Sequence, residues 1–322
     1  MKTPVRTTFS SAFEEDCYKG LTSEPKYLLS KHIYDNKGDK LFQDIMDLPE
    51  YYLTNCEYHI LQKHSAEIGR YFSDPEGFDL IELGAGDGKK TKILLRQLVE
   101  NKFDFSYLPV DISENALKGL EASLKDEIPE VKVKVQQGMY FETLEKIAEK
   151  RLRKKVILML GSNIGNLLHK DAVLFLRKIS EAMNSRDLLF IGFDQKKHPQ
   201  IILDAYNDRT GVTEAFNKNH LVRINSELGG NFNPENFLHW ETYNPESGTA
   251  KSYLVSKKSQ TVIIKALDLT VHFDPWETIH TEISQKYDDN VIKWLADESG
   301  LEVAEFFADE KNFYRNYIFK KK

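Results

Sequence analysis

Glycine stands at every second position of Gly84-Ala85-Gly86-Asp87-Gly88, where the apolar run FDLIELG gives way to the amphipathic run KKTKILLRQLVE. At a strand-to-helix turn, glycines let the backbone approach a ligand closely and adopt conformations that a Cβ forbids. The helix that follows presents unpaired N–H donors. The spacing is G-x-G-x-G, not the G-x-G-x-x-G of a dinucleotide turn, and a tight turn that binds nothing is the competing reading. Asp111 closes the next apolar run, in LPVDIS. A carboxylate at the carboxyl edge of a parallel sheet can accept both hydroxyls of a ribose. Capping the helix that begins near Ser113 is its alternative role.

A second set of residues suits a small polar substrate. Asn166, in GSNIGN, follows the fourth apolar run and offers an amide oxygen to an amino group. Tyr51 and Tyr52 follow Pro49, where core packing is the plainer fate of the pair. Tyr206 lies in the polar stretch LDAYNDRTG, where a phenol is less easily explained as core filler. Glu282 and Ser284, in TIHTEISQKY, fall two apart, so a strand would set both on one face. Together they can read the two ring nitrogens of an imidazole; an ordinary exposed strand face is the other possibility.

The elements that must carry these groups follow from the pattern. LFQDIMDLPEYYLTNCEYHILQKH predicts two helices broken near Pro49. From residue 78, the apolar runs FDLIELG, FSYLPVD, VKVKVQ, KVILMLGS and DLLFIGFD read as strands. They alternate with the helical runs KKTKILLRQLVE, SENALKGLEASLKD, FETLEKIAEKRL and KDAVLFLRKISEAM, which predicts a doubly wound, mostly parallel sheet. The alternation stops after Asp194. Residues 195–235 read as helical fragments, FLHWETYN, AKSYLVS and TVIIKAL as antiparallel strands, DNVIKWLADESG as a helix ended by Gly300, and LEVAEFFAD and FYRNYIFK as a closing strand pair. The α/β core is expected over 61–195 plus 287–322, and a second, α+β module over 1–60 plus 196–286.

Composition narrows the partners. The 322 residues are 41% hydrophobic and 29% charged, and 44 Lys+Arg against 50 Asp+Glu leave a net charge of −6. That balance disfavours a nucleic-acid partner, which selects basic surfaces. Two cysteines, Cys17 and Cys56, make no CxxC pair, so neither a zinc site nor a disulfide framework is expected and a reducing compartment fits. The first residues hold no apolar stretch of signal-peptide length, and no run reaches the roughly 18 apolar residues that span a bilayer. A cytoplasmic protein without membrane partners is expected.

ELGAGDGKKT, LPVDIS, MLGSNIGN, DAYNDRTGVTEAFNKN and HTEIS, in this order, resemble the histidine-specific Nα-methyltransferases of ergothioneine biosynthesis. The likeness runs from LLSKHIYDNKGDKLFQDIMDLPEYY to the C-terminal strands. It implies a class I methyltransferase fold, S-adenosylmethionine (SAM) as methyl donor, and conversion of L-histidine to its Nα,Nα,Nα-trimethyl betaine, hercynine; a monomer is expected. By this resemblance Gly84, Gly86 and Lys90 bind SAM and Asp111 holds its ribose. Where the family carries an acid toward the adenine, this sequence reads Gly138-Met139-Tyr140, leaving a backbone contact at Met139 or Tyr140. Tyr51 and Asn166 would hold the substrate's amino group as the catalytic pair, Tyr206 its carboxylate, and Glu282 and Ser284 its imidazole. Tyr34 would support the ring through its hydroxyl and Phe42 wall the pocket. Ser252 stands where the family tends to carry methionine, a change that would enlarge the pocket or admit water. Methylation of another amino acid or small amine, a nucleotide-dependent dehydrogenase and a non-catalytic binding module are the alternatives.

Overall fold

The computed structural model describes residues 8–150 and 153–322. The first seven residues, on which the expectation of no signal peptide partly rests, lie outside them. So do Arg151 and Leu152, the last two of the helix expected over FETLEKIAEKRL. In chain order the elements are α1 (Ala12–Thr22), β1 (Lys26–Tyr27), α2 (Asn36–Met46), α3 (Tyr52–Phe72), β2 (Phe78–Leu83), α4 (Lys89–Glu100), β3 (Phe105–Asp111), α5 (Glu114–Glu127), β4 (Gln136–Gln137), α6 (Tyr140–Lys150), β5 (Lys154–Met159), α7 (His169–Glu181) and β6 (Leu188–Asp194). There follow α8 (Pro199–Tyr206), α9 (Val212–Leu228), β7 (Phe237–Asn244), β8 (Thr249–Ser256), β9 (Gln260–Ile264), β10 (Leu269–Phe273), β11 (Thr278–Gln285), α10 (Asp289–Glu298), β12 (Leu301–Ala308) and β13 (Tyr314–Lys321). The chain gathers into two compact units. One holds the described residues up to Tyr52 with Lys197–Ser284, the other Leu53–Lys196 with Gln285–Lys322. The divisions fall at 52/53, 196/197 and 284/285, against the expected 60/61, 195/196 and 286/287.

The second of these units is the doubly wound sheet, in the strand order β12-β13-β6-β5-β2-β3-β4. β2 pairs in parallel with both β3 and β5, and β5 with β6. Every residue of β2, β5 and β6 is buried, as strands covered on both faces require. Ile81, Leu83, Ile157, Met159, Leu189 and Phe193 meet Val173, Leu176 and Ile179 of α7 and Leu295 of α10 in one core. The closing pair is antiparallel: β13 lies between β6 and β12 and runs against both. Because the chain leaves β2 for β3 on one side and reaches β5 on the other, the order reverses there. The turns after β2 and β5 therefore flank the crevice where such sheets bind ligands.

One predicted strand shrinks. VKVKVQ contributes only the bridge between Tyr107 and Val133 and Gln136, the first of the two residues of β4. It is the sheet's outer edge, where Tyr107 exchanges backbone hydrogen bonds with Lys132 and Lys134 and, among the described residues, no strand pairs beyond. An edge with two outward lysines gains little from a longer ladder.

In the other unit a sheet in the order β1-β11-β8-β7 and a hairpin of β9 with β10 pack with α1 and α9. Phe13, Leu21, Leu221, Ile224, Phe237, Leu254, Val262 and Phe273 form its core. The "helical fragments" of 195–235 are α8 and a 17-residue α9, which Asp208 starts. The Asp208 carboxylate accepts the backbone N–H of Val212 at 3.1 Å and of Thr213 at 2.8 Å, and the Thr210 hydroxyl. Burial raises its pKa, but the hydrogen bonds from Thr210, Thr213 and the backbone outweigh that and hold it at about 2.

Asp208→Ala is therefore expected to cost about 1–2 kcal/mol in urea unfolding at pH 7. Since the folded-state pKa is depressed, the contribution is complete above the ordinary value of 3.8 and is lost as the pH falls toward about 2. An equal cost for the variant at pH 7 and at pH 2 would contradict this assignment.

Candidate active site

In the parallel-sheet unit, the turn after β2 has the conformations its glycines allow. Gly84, Gly86 and Gly88 take φ of 74°, 53° and 64°. A Cβ on Gly84 would lie 2.6 Å from the Tyr140 hydroxyl, whereas one on Gly86 would meet nothing within 4 Å. The backbone at Gly86 thus faces open space, as a cradle for a ligand must. Asp111 ends β3 with Oδ1 accepting Ser113 N–H at 2.9 Å and Oδ2 lying 3.5 Å from Gly86 N. The cap of α5 is Ser113 itself, whose hydroxyl accepts Ala116 N–H at 3.2 Å. One oxygen of Asp111 is left beside the glycine turn, fitting a ribose hydroxyl.

Gly138 N–H donates to Asp111 O at 3.1 Å, which brings the Met139-Tyr140 segment to the same edge. Met139 is 62% exposed. The Tyr140 ring lies over Gly84, and its hydroxyl is pushed up by burial and by the charges of Asp111 and Glu82. Asn166 ends a 3₁₀ turn, Asn163–Asn166, after β5. That turn is held from behind by Tyr287, whose hydroxyl donates to Ile164 O at 3.1 Å; Asn166 itself is exposed.

Lys90 is in the first turn of α4, with its ammonium paired to Glu57 of α3. Glu57 carries no exposure and takes three further donors: Gly161 N–H at 2.7 Å, Asn316 Nδ2 at 2.8 Å and the Tyr314 hydroxyl at 3.1 Å. This residue was not anticipated, yet a signal exists. Leu53, Cys56, Glu57, Ile60 and Leu61 share the buried face of α3, and a glutamate on such a stripe marks a paired buried charge. A second buried carboxylate, Glu82, accepts the Thr91 hydroxyl at 2.5 Å and the Tyr107 hydroxyl. Burial raises its pKa to about 7, against the lowering effect of those two bonds and of Lys90.

The other unit gathers the remaining residues. Tyr34 packs edge-on to Phe42 and Phe216 at 5.5 and 5.4 Å between centroids. Phe42 meets Tyr51 at 6.3 Å, and Tyr51 meets Tyr206 at 6.0 Å. The Tyr206 hydroxyl shares a 2.7 Å hydrogen bond with Ser284 Oγ, so the groups assigned to carboxylate and imidazole are direct neighbours. Tyr34 titrates well above the ordinary range through burial and then the charge of Glu282, with Tyr51 and Tyr206 adding to it. Tyr34, Phe42, Tyr51, Tyr206, Glu282 and Ser284 thus form one cluster.

Helix α9 builds that cluster with residues the sequence motif contained but to which no role was given. Asn219 Nδ2 donates to Ile33 O at 3.1 Å and to Asp35 Oδ1 at 2.8 Å, gripping the backbone on both sides of Tyr34. Asn217 Oδ1 accepts the Thr281 hydroxyl at 2.7 Å, fixing β11 beside Glu282. Phe216 adds a ring to the wall. Ser252 is 2% exposed, and its hydroxyl donates to Glu241 Oε2 at 2.6 Å. The buried acid opposite it on β7 takes up the small polar side chain.

The strand order with an antiparallel β13, the glycine turn after β2 and the carboxylate ending β3 define a class I SAM-dependent methyltransferase. A sequence model described as histidine-specific methyltransferase, SAM-dependent, matches residues 13–321. The histidine N-alpha-methyltransferases of Mycolicibacterium smegmatis and Mycobacterium tuberculosis are each 34% identical to the chain, over 93% of it and 92% of their own lengths. Ergothioneine biosynthesis protein 1 of Schizosaccharomyces pombe is 31% identical over 91% of this chain and 39% of its own. The chain belongs to the histidine-specific, SAM-dependent methyltransferase family.

Glu82 makes a pH-dependent contribution that can be measured. Its folded-state pKa is raised from 4.5 to about 7, so the stability it confers is complete below 4.5 and is lost as the pH rises through about 7. Relative to Glu82→Gln, the wild-type unfolding free energy is expected to fall across that window and level off above it. A parallel pair of curves from pH 4.5 to 8 would contradict the assignment.

Proposed function

We propose that the chain transfers methyl groups from SAM to the α-amino nitrogen of L-histidine, giving hercynine as the trimethylated product, in the service of ergothioneine biosynthesis. The observation that carries this is the cluster of Tyr34, Phe42, Tyr51 and Tyr206 rings around the Tyr206–Ser284 hydrogen bond and Glu282. In it, Glu282 and Ser284 take the two imidazole nitrogens, Tyr206 the carboxylate and Tyr51 the amino group, a role that the family resemblance also gives to Asn166. Gly84, Gly86, Asp111, the 139–140 backbone and Lys90 hold the donor, whose sulfonium supplies an electrophilic methyl group.

The residues then have a limited task. The amine must be neutral and its lone pair aimed along the bond being broken, so most of the help is positioning and exclusion of water. Acceptors at Asn166 and Tyr51 orient the nitrogen while its proton leaves to water. No general base is assigned. The product carries a permanently charged trimethylammonium group, which aromatic faces favour without the grip of an ion pair. The net charge of −6 fits a small-molecule partner better than nucleic acid, the buried thiols Cys17 and Cys56 fit a reducing compartment such as the cytoplasm, and a monomer is part of the same proposal; among the described residues no helix is long and apolar enough to cross a membrane.

Mass spectrometry of L-histidine incubated with the protein and SAM is expected to show a gain of three methyl groups. Methylation of other free amino acids with histidine unchanged would overturn the substrate assignment. Glu282→Ala is expected to raise KM for histidine at least tenfold while changing the KM for SAM little, the pattern of a lost substrate contact. Equal effects on both would remove Glu282 from imidazole recognition.

A further inference from the structure

Four groups converge on Glu57 from three places in the parallel-sheet unit. Lys90 lies in the first turn of the helix after the glycine turn, Gly161 follows β5, and Tyr314 and Asn316 belong to β13. A Cβ on Gly161 would come within 3.3 Å of Lys90 Nζ, and the Asn163 amide stands 3.9 Å from the Cβ positions of both Gly161 and Gly84. The ammonium of Lys90 is thus lodged between the two turns that flank the crevice. Its side chain keeps 22% exposure, while Glu57 keeps none. A lysine placed there as a free cation would face a donor that itself carries a net positive charge. SAM has a sulfonium and an ammonium against one carboxylate, whereas the demethylated product, S-adenosylhomocysteine, has lost the sulfonium and is neutral overall.

We propose that Glu57 is a positioning residue of the methyl-donor site, which cancels the charge of Lys90 so that the crevice accepts the cationic donor, and which fixes the Lys90 ammonium and the Gly161 N–H in one place. This rests on the assignment of the Gly84–Lys90 turn to SAM. In a buried site an uncompensated charge acts over several ångströms with little screening. Glu57 therefore sets the preference of the site between SAM and S-adenosylhomocysteine, where a purely structural carboxylate would affect the two alike.

The test is calorimetric binding of SAM and of S-adenosylhomocysteine to the full-length protein and its variants. Glu57→Gln keeps the shape but removes the charge. It is expected to weaken SAM about tenfold more than S-adenosylhomocysteine, equivalent to about 1.4 kcal/mol of discrimination. Glu57→Asp, which keeps the charge, is expected to restore the wild-type ratio. Lys90→Met leaves the acid without its cation and is expected to shift the ratio the other way, toward SAM; it provides the test should Glu57→Gln fail to fold. Unchanged ratios in Glu57→Gln, or in Lys90→Met, would overturn the proposal. Asp111→Ala separates the two layers of the argument. It is expected to weaken both ligands alike, and unchanged binding there would refute the donor assignment itself rather than the part played by Glu57.

Discussion

A carboxylate fully withdrawn from water is tolerable only when its lone pairs are met, and Glu57 has a donor for each: an ammonium, a backbone amide, a phenol and a side-chain amide. Those donors come from α4, from the turn after β5 and from β13, which are remote in sequence. The carboxylate therefore fixes the relative placement of the helix that begins at the glycine turn, the turn that leads to Asn166 and the antiparallel strand behind them. Losing one partner of such a buried pair costs about 3–5 kcal/mol. Its demands spread outward. Gly192 on β6 must lack a side chain, because a Cβ there would stand 2.2 Å from the Tyr314 hydroxyl and 2.5 Å from Glu57 Oε1.

The other unit solves the same problem with amides instead of charges. The buried polar residues of α9 are costly on a packed helix unless each meets a partner, and the partners of Asn217 and Asn219 are the segments that present Glu282 and Tyr34. The helix start is secured by Asp208 in the same loop that follows Tyr206. Binding side chains on loops and strand ends are thereby given fixed anchors on a helix, which a reaction governed by positioning requires.

The strongly periodic elements were legible in the sequence. β3, α4 and β7 begin and end where their patterns do, the helix break at Pro49 separates α2 from α3, and the closing strands pair as expected. Two features were less so. VKVKVQ alternates as a strand should, but alternation says nothing about whether a partner lies beyond, and among the described residues none does at the sheet edge. β10 follows β9 after one 3₁₀ turn and pairs only with it, so TVIIKAL hid the first half of a hairpin. Within the candidate site, Tyr206 stood out by residue type in a polar stretch and Glu282 with Ser284 by spacing, whereas Tyr34, Phe42 and the part of Tyr51 were legible only through the family resemblance. Glu57, Asn217 and Asn219 did not, because they act through other residues and their function is visible only once the partners are placed. Ser252 illustrates the limit in the opposite direction: a change that reads as a loss of bulk becomes a buried hydrogen bond when Glu241 is seen across the ladder.

The most direct test is a crystal structure of the protein with S-adenosylhomocysteine and L-histidine. The ribose is expected on Asp111, with the chain of the ligand passing over Gly84 and Gly86. The imidazole is expected between Glu282 and Ser284, with the histidine carboxylate on Tyr206 and its amino group on Asn166 and Tyr51. Histidine seated away from Glu282 and Ser284, or a nucleoside that does not touch Asp111, would contradict the account.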